Sequence, residues 1–171
     1  MVLNTFSYTG GFSVYAGIGG AKEIHSVDVS EPAIEICNHN INLNGITNHH
    51  SFVADTFEFL KEKKNIYDVI ILDPPAFAKS RSSKHNGAMA YKRLNALAIK
   101  NIKANGIIFT FSCSGAVYQS PGTLESILQS ASVLAKRDCR IIQKLNAASD
   151  HVYLPSFPET QYLSGFAVYV T

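Results

Sequence analysis

Two side chains that could do chemistry, Asp73 and Cys113, each lie at the end of a short apolar segment. Tyr67–Leu72 and Ile107–Phe111 have the length and the β-branched content of strands buried on both faces. Ligands of open α/β sheets bind beyond the carboxyl ends of the strands, so a carboxylate and a thiol placed there predict a reactive site. Adjacent strands lie about 4.8 Å apart, which lets both side chains reach one planar ring.

The residues after Asp73 stiffen its position. Pro74 and Pro75 have fixed φ angles, and a proline also holds the residue before it in an extended conformation. Simpler interpretations exist for both reactive groups. An Asp before Pro can serve only to cap a turn, and most free cysteines are small buried hydrophobes.

The remaining sulfur and imidazole groups have weaker claims to a site. Cys37, His39, His49 and His50 are close in sequence, but their spacing matches no standard zinc pattern. We therefore expect capping and surface roles for them and no metal. Cys139 begins a predicted strand and is expected in the core.

A loop with two glycines separates the first predicted strand from the first helix. Gly10 and Gly11 let the backbone approach a ligand where a helix N-terminus offers free N–H groups. Asp28, at the end of the second strand, follows Gly10 at about the spacing of acidic residues that bind ribose hydroxyls. Asp55 ends the third strand at the same edge. The pattern indicates an adenosine-bearing cofactor, although a purely structural turn explains the glycines equally well.

Two cofactors fit this frame, a dinucleotide and S-adenosylmethionine. The dinucleotide fingerprint G-x-G-x-x-G is absent from Thr9–Ser13. S-adenosylmethionine carries no phosphate, so a looser loop with an aromatic residue suits it better.

The charged residues are distributed unevenly. Residues 1–73 hold nine acidic and four basic side chains, whereas Pro74–Leu124 holds seven Lys or Arg and no acid. A basic segment that begins at the Asp-Pro-Pro turn predicts a polyanionic partner, with RNA as the natural one. For any single Lys, a solvated helix face remains the simpler account.

Length and composition indicate one globular domain covering residues 1–171. No apolar run approaches the ~20 residues of a membrane span, and no signal peptide is recognisable. The three cysteines are an odd number without a CxxC pair, which favours a reducing cytoplasm.

Strands and helices alternate along the chain, which predicts an α/β fold with a parallel sheet and helices on both faces. The predicted strands are Val2–Phe6, Glu23–Val27, His50–Val53, Tyr67–Leu72, Ile107–Phe111, Cys139–Leu145 and Gly165–Val170. The predicted helices cover Phe12–Ile18, Pro32–Leu43 with Ser30 as N-cap, Phe57–Lys63, Ala88–Ile102 and Leu124–Leu134.

Four motifs, Val2–Phe12, Ser26–Ser30, Asp73–Phe77 and Phe109–Gly115, carry a resemblance to a known family. The chain resembles the catalytic domain of S-adenosylmethionine-dependent 23S ribosomal RNA cytosine-C5 methyltransferases, the kind with an N-terminal PUA domain. The match continues through Tyr91-Lys92, Asp150-His151 and Pro158-Glu159, and departs at Thr160-Gln161, where a glycine is expected. The resemblance implies a class I methyltransferase, Rossmann-like fold with seven mostly parallel strands, the last antiparallel. It also implies further N-terminal domains, since this chain starts on its first strand.

The resemblance implies methylation of cytosine carbon 5 in ribosomal RNA, with Cys113 and Asp73 as catalytic residues. Cys113 would add to carbon 6 of the base, Asp73 would bind the ring nitrogen and amino group, and nearby cations would lower the pKa of the thiol. The cofactor-binding residues implied are Phe6, Ser7, Tyr8, Thr9, Gly10, Gly11, Asp28, Val29, Asp55, Thr56, Asp73 and Pro74. The RNA-binding residues implied are Pro75, Phe77, Lys79, Arg81, Lys84, Lys92 and Arg93.

Two other functions remain open. Asp-Pro-Pro beside an aromatic residue also serves methyltransferases that act on amino groups or ring nitrogens, which need no Cys113. A domain without its RNA-docking partner could also bind the cofactor without catalysis.

Overall fold

The computed structural model describes residues 1–77, 84–113, 123–148, 152, 154, 156–157 and 163–171, except for the side chain of Lys84. Seven strands lie in these ranges: β1 Val2–Thr5, β2 Ile24–Asp28, β3 His49–Val53, β4 Val69–Leu72, β5 Gly106–Ser112, β6 Cys139–Leu145 and β7 Ser164–Val170. Five helices accompany them: α1 Gly11–Ile18, α2 Glu31–Leu43, α3 Thr56–Glu62, α4 Lys84–Asn101 and α5 Thr123–Ala135.

The strands form one sheet in the order β3-β2-β1-β4-β5-β7-β6. All pairs are parallel except those of β7, which runs antiparallel to both neighbours. The predicted seven-stranded, mostly parallel sheet with an antiparallel last strand is therefore confirmed. The chain runs from β1 outwards to β2 and β3 and then crosses back to β4 on the other side of β1. This reversal of strand order creates the crevice in which open α/β sheets bind ligands.

Most element boundaries fall within two residues of their predicted positions. Ser30 caps α2 as expected, with its Oγ accepting from the Ala33 amide at 3.4 Å. The main differences are that β4 begins at Val69 and that α4 begins four residues before the predicted Ala88. The first turn of α4 contains a glycine and no apolar periodicity, so local sequence does not signal it.

Alternate residues of β2 point to opposite faces of the sheet. Val27 belongs to the apolar core that the sheet forms with α3, α4 and α5. Ser26 points to α1 and α2, where its Oγ lies 2.7 Å from Ser13 Oγ and 3.6 Å from Cys37 Sγ. Helices therefore cover both faces, as predicted.

A chain of buried polar side chains lies under α1 and α2. Asn4 Nδ2 donates to Ser13 Oγ at 2.9 Å, and Ser26 Oγ lies 2.7 Å from His49 Nε2. Cys37 is fully buried beside them, so the predicted surface or capping role is wrong for Cys37. Its position follows from α2, whose apolar face packs on β2 and β3. Among the described residues, no group of His, Cys, Asp or Glu is arranged to hold a metal.

Burial of the imidazole lowers the pKa of His49 to about 4, with smaller contributions from His50 and His25. In the unfolded chain, histidine titrates near 6.5, so the unfolded state binds an extra proton between about pH 6.5 and pH 4. Stability contributed by neutral His49 is thus present above pH 6.5 and is lost as the pH falls through this window.

Lowering the pH from 7 to 4 is expected to cost about 1–2 kcal/mol of unfolding free energy through His49, because solvent screens part of the effect at this half-buried imidazole. Urea unfolding of the wild type and of His49→Gln at both pH values would measure this, and the variant should show the smaller pH dependence. His39→Gln, which changes an exposed histidine of α2, is the control. Equal pH dependence in His49→Gln and wild type would contradict the assignment.

Candidate active site

A cavity of about 750 Å³ opens at the carboxyl edge of the sheet, where β1 and β4 meet. The loop from β1 to α1 forms most of its wall, and the residue after β4 closes one side. The lining residues are Phe6, Ser7, Tyr8, Thr9, Gly11, Phe12, Tyr15 and Asp73. Six of them were predicted as cofactor-binding residues. Phe12 and Tyr15 were not, although their i, i+3 spacing on α1 could have indicated a shared face.

The loop that lines the cavity is held in an unusual backbone conformation. Phe6 and Tyr8 have φ angles of 52° and 47°, in the left-handed region that residues other than glycine rarely adopt. The amide of Tyr8 donates to Asp28 Oδ2 at 2.9 Å, and the amide of Ser30 donates to Asp28 Oδ1 at 2.9 Å. Asp28 therefore joins the two loops that follow β1 and β2.

The two glycines of this loop have different roles. Gly10 has a φ of 84°, and a Cβ built on it would lie 2.4 Å from Cys37 Sγ. Glycine is required there for internal packing against α2, not for the close approach to a ligand that the sequence suggested. A Cβ on Gly11 would meet no atom within 4 Å, and Gly11 lines the cavity. Gly11 thus keeps the predicted role.

The cavity offers a polar atom that the protein itself does not satisfy. Ser7 is buried and lines the cavity, yet its Oγ has no hydrogen-bond partner in the described structure. Buried hydroxyls are normally paired, so a free Oγ in a cavity wall fits a bound polar ligand. The residues present therefore fit an adenosine-bearing cofactor.

The other predicted cofactor-binding residues lie behind the cavity or away from it. Asp55 is exposed and caps α3, accepting from the Glu58 amide at 3.1 Å, and Thr56 is buried in the first turn of the same helix. Val29 is exposed, and Pro74 is buried under the turn. None of these lines the cavity.

Asp73 and Cys113 follow neighbouring strands, as the strand order predicts. β4 and β5 are adjacent and parallel, with Leu72 opposite Thr110. Asp73 lines the cavity, and the surrounding protein raises the pKa of its carboxyl. Its charge in turn raises the pKa of Cys113, so the two groups are close enough to interact electrostatically.

Burial is the largest cause of the raised pKa of the Cys113 thiol, and Asp73 raises it further. The backbone amide of Cys113 itself and, to a smaller extent, that of Ala76 act in the opposite direction. Sequence reasoning expected the nearby cations to lower it. Among the described residues no cation contributes, so that expectation is wrong for this part of the chain. The thiol is neutral near pH 7 and needs a base before it can attack.

Phe77 lies in an aromatic cluster at the end of the Asp-Pro-Pro turn. Its ring centroid is 4.8 Å from that of Tyr91 and 6.3 Å from those of Phe6 and Phe57. These contacts support the packing role of Phe77 rather than stacking on a base. Pro75 is exposed beside it.

Of the predicted RNA-binding cations, the structure describes the side chains of Lys92 and Arg93. Lys92 is half-buried on α4. Arg93 lines a separate groove of about 270 Å³ between α3, α4 and α5, together with Lys61 and Lys100. Lys79 and Arg81 lie outside the described residues, as do the side chain of Lys84 and the motif positions Ser114, Gly115, Asp150, His151, Pro158 and Glu159.

Comparison with known proteins identifies relatives of this arrangement. The model of a family described as S-adenosylmethionine-dependent methyltransferase matches residues 1–113. A ribosomal RNA large subunit methyltransferase I of Aeromonas hydrophila is 43% identical over 98% of the chain and 43% of its own length. The enzyme of the same name from Alteromonas mediterranea is 40% identical over 99% of this chain and 44% of its own length. The chain thus spans less than half the length of these relatives.

Among solved structures, the methyltransferase SMU.776 in complex with SAH superposes with a TM-score of 0.82 at 25% identity, over 98% of this chain and 44% of that one. This likeness confirms the predicted class I methyltransferase, Rossmann-like fold.

The comparisons correct the family assignment made from the sequence motifs. That assignment named a family defined by cytosine-C5 chemistry and by an N-terminal PUA domain. The matching family model is the broader one of S-adenosylmethionine-dependent methyltransferases, and the names of the relatives specify neither the base nor a PUA domain. The broader family replaces the narrower one.

Proposed function

Because this chain belongs to the S-adenosylmethionine-dependent methyltransferase family, we propose that it methylates large-subunit ribosomal RNA at carbon 5 of a cytosine. The names of the two relatives support ribosomal RNA as the substrate. The observation that supports the cytosine assignment is that Asp73, which lines the cavity, and Cys113 follow adjacent parallel strands. Such a substrate places the protein in the cytoplasm.

S-adenosylmethionine, when bound, supplies the electrophilic methyl group that carbon 5 accepts. Residues of the β1–α1 loop would hold it, with Ser7 Oγ available for one of its polar atoms. Asp28 holds this loop through the Tyr8 amide and the loop after β2 through the Ser30 amide, and its carboxylate has lone pairs left for a ribose hydroxyl.

Asp28→Ala is expected to weaken S-adenosylmethionine binding by about 1–3 kcal/mol, because a charged hydrogen-bonding group that holds the loop is lost. Isothermal titration calorimetry would measure this, with NAD as the competing cofactor. Asp55→Ala, which removes a carboxylate away from the cavity, should leave the affinity unchanged. Tight binding of NAD in place of S-adenosylmethionine would contradict the cofactor assignment.

Cys113 and Asp73 divide the chemistry on the base. The Cys113 sulfur forms a bond to carbon 6, and the electron pair of the 5,6 double bond moves through the ring towards nitrogen 3. Carbon 5 then has enamine character and becomes nucleophilic. Asp73 accepts the thiol proton, which its raised pKa favours, and donates it towards nitrogen 3 as charge develops there.

Release of Cys113 from the base reverses its addition to carbon 6. After methylation, the proton on carbon 5 passes to an acceptor in the site, and the electron pair of that bond re-forms the 5,6 double bond. The bond between carbon 6 and sulfur breaks, and Cys113 leaves as a thiolate. Nitrogen 3 then gives its proton back to Asp73, which returns it to the thiolate and restores the neutral thiol.

The proposal is tested by the position of the methyl group. The protein is incubated with methyl-labelled S-adenosylmethionine and large-subunit ribosomal RNA made by transcription in vitro, and the digested nucleosides are identified by mass spectrometry. The expected product is 5-methylcytidine. Label found only in protein-bound cofactor, with none in RNA, would contradict methyl transfer by this chain.

One observation favours a second candidate function. The raised pKa of Cys113 keeps the thiol neutral, which is tolerable if the thiol takes no part in the reaction. An Asp-Pro-Pro turn would then orient an amino group or ring nitrogen of a base for direct methylation. Label on such a nitrogen in the same experiment would select this candidate.

A further inference from the structure

A groove between α3, α4 and α5 takes no part in the chemistry described above. Its volume is about 270 Å³. The apolar residues that line it are Ala96, Leu97, Leu134 and Ala135, and the charged ones are Lys61, Arg93 and Lys100. None of the lining residues that the structure describes is acidic. The groove therefore combines an apolar surface with charge of a single sign.

The cations of α4 are spread along the groove. Arg93 and Lys100 are seven residues apart, so they lie on one face of the helix, separated by two turns or roughly 10 Å. Leu97 lies between them on the same face and is half-buried. A small anion needs cations that converge on one point, whereas a row of cations suits a polymer with repeated charges. The spacing thus favours a polyanion.

Arg93 and Lys100 are available to such a partner. Both side chains are exposed, and neither has an ion pair or a hydrogen bond to another residue in the described part of the chain. The sequence of α4 contains no acid that could pair with them. Lys61 differs, because its Nζ lies 2.6 Å from Glu58 Oε1 in an exposed i, i+3 pair. Exposed pairs of this kind contribute little, so a phosphate can replace Glu58.

The helix α4 connects the groove to the reactive edge of the sheet. Tyr91 is buried against Phe77, with the ring centroids 4.8 Å apart, and Phe77 belongs to the turn that follows Asp73. Arg93 comes two residues after Tyr91 and is exposed. Since a helix is only about 10–12 Å across, an RNA whose target base lies at Asp73 can continue over α4 into the groove.

We infer that this groove binds the sugar–phosphate backbone of the RNA substrate outside the reactive site, with Lys61, Arg93 and Lys100 on its phosphates. The inference rests on the proposed function, which supplies RNA as the polyanion. The described lining residues include no aromatic ring on which a base could stack, so the contact is to the backbone and is indifferent to sequence. Lys61 and Lys100 are thereby added to the RNA-binding residues that the resemblance implies.

Equilibrium binding without methyl transfer tests the groove. The probe is a fluorescently labelled transcript of large-subunit ribosomal RNA, titrated with the protein at several salt concentrations. Arg93→Gln and Lys100→Gln should each lower the affinity about five- to eightfold near 0.1 M salt, and each should reduce the slope of log affinity against log salt by about 0.7–0.9. Arg140→Gln and Lys22→Gln change exposed cations outside the groove, and as matched controls they should alter neither quantity.

Glu58→Gln provides a change of the opposite sign. It releases Lys61 from its ion pair and should raise the affinity for the transcript about two- to threefold. Acetylation of lysines with and without the transcript, followed by mass spectrometry, locates the contact. Lys61 and Lys100 should be protected by the RNA, and Lys22 should not.

The outcomes separate this inference from the proposed function. If the wild type binds the transcript and the Arg93→Gln and Lys100→Gln variants bind it equally well, the groove is misassigned and the proposed function stands. If the wild type does not bind the transcript at all, both are overturned. A poly-glutamate peptide that binds the wild type as tightly as the transcript, and loses affinity in the same two variants, would assign the groove to an acidic protein instead.

Discussion

Cys113→Ala is expected to abolish both methyl transfer and the covalent capture of RNA that contains 5-fluorocytidine. In the wild type, fluorine occupies the position from which a proton must leave carbon 5. Release of the base therefore stalls after methylation, and a protein–RNA adduct survives denaturation. The measurement is a mobility shift of labelled RNA in a denaturing gel, in parallel with tritium transfer to unmodified RNA.

This variant separates cysteine chemistry from methylation of an amino group. Cofactor affinity should stay close to that of the wild type, since the thiol acts on the base. Cys139→Ala is the control. It removes the free thiol of β6, and this variant should retain both adduct formation and turnover. If Cys113→Ala methylates RNA at the wild-type rate, the nucleophile is misassigned. The substitution would then cost only about 1 kcal/mol in packing.

Asp73→Asn is expected to lower the rate of methyl transfer by about 10²–10³-fold, the range seen when a donor to a developing charge is removed. The amide cannot accept the thiol proton, and it cannot return that proton to the ring. Cofactor binding should change much less, because Asp73 forms one side of the cavity and the β1–α1 loop forms the rest.

Single-turnover transfer at saturating cofactor would measure this rate, and calorimetry would measure the affinity. Asp55→Asn provides the same change at an exposed helix cap and should leave the rate unchanged. The wild-type rate also depends on a carboxyl whose pKa is raised. It should fall as the pH drops through that pKa, because protonated Asp73 cannot accept the thiol proton. Equal losses of rate and affinity would point to a collapsed cavity instead.

The fold was predictable because its signals are local. The apolar residues of a segment such as Val69–Leu72 are enough to indicate that it is buried. Ser30 as N-cap, followed by Pro32, indicates the start of α2. The meeting of Asp73 with Cys113 was also predictable, since adjacent parallel strands bring their carboxyl ends to one edge.

The remaining features depend on contacts between residues far apart in the sequence. Nothing near Gly10 indicates that Cys37 fills the space where its side chain would be. The backbone amides that donate to Asp28 come from two loops. The pKa of Cys113 is raised by burial and by a carboxylate that follows another strand. Residue types and spacing carry no signal for burial of this kind.

The position of β7 between β5 and β6 has a consequence for synthesis of the chain. In the sheet, β6 pairs with β7, so it has no strand to join until β7 has left the ribosome. At about 5–20 residues per second, the intervening residues 146–163 take roughly one to a few seconds to make. During that interval the edge of β5, the strand that precedes Cys113, is an unpaired template for other strands. Closure of the sheet and protection of this edge therefore occur in one late event of folding.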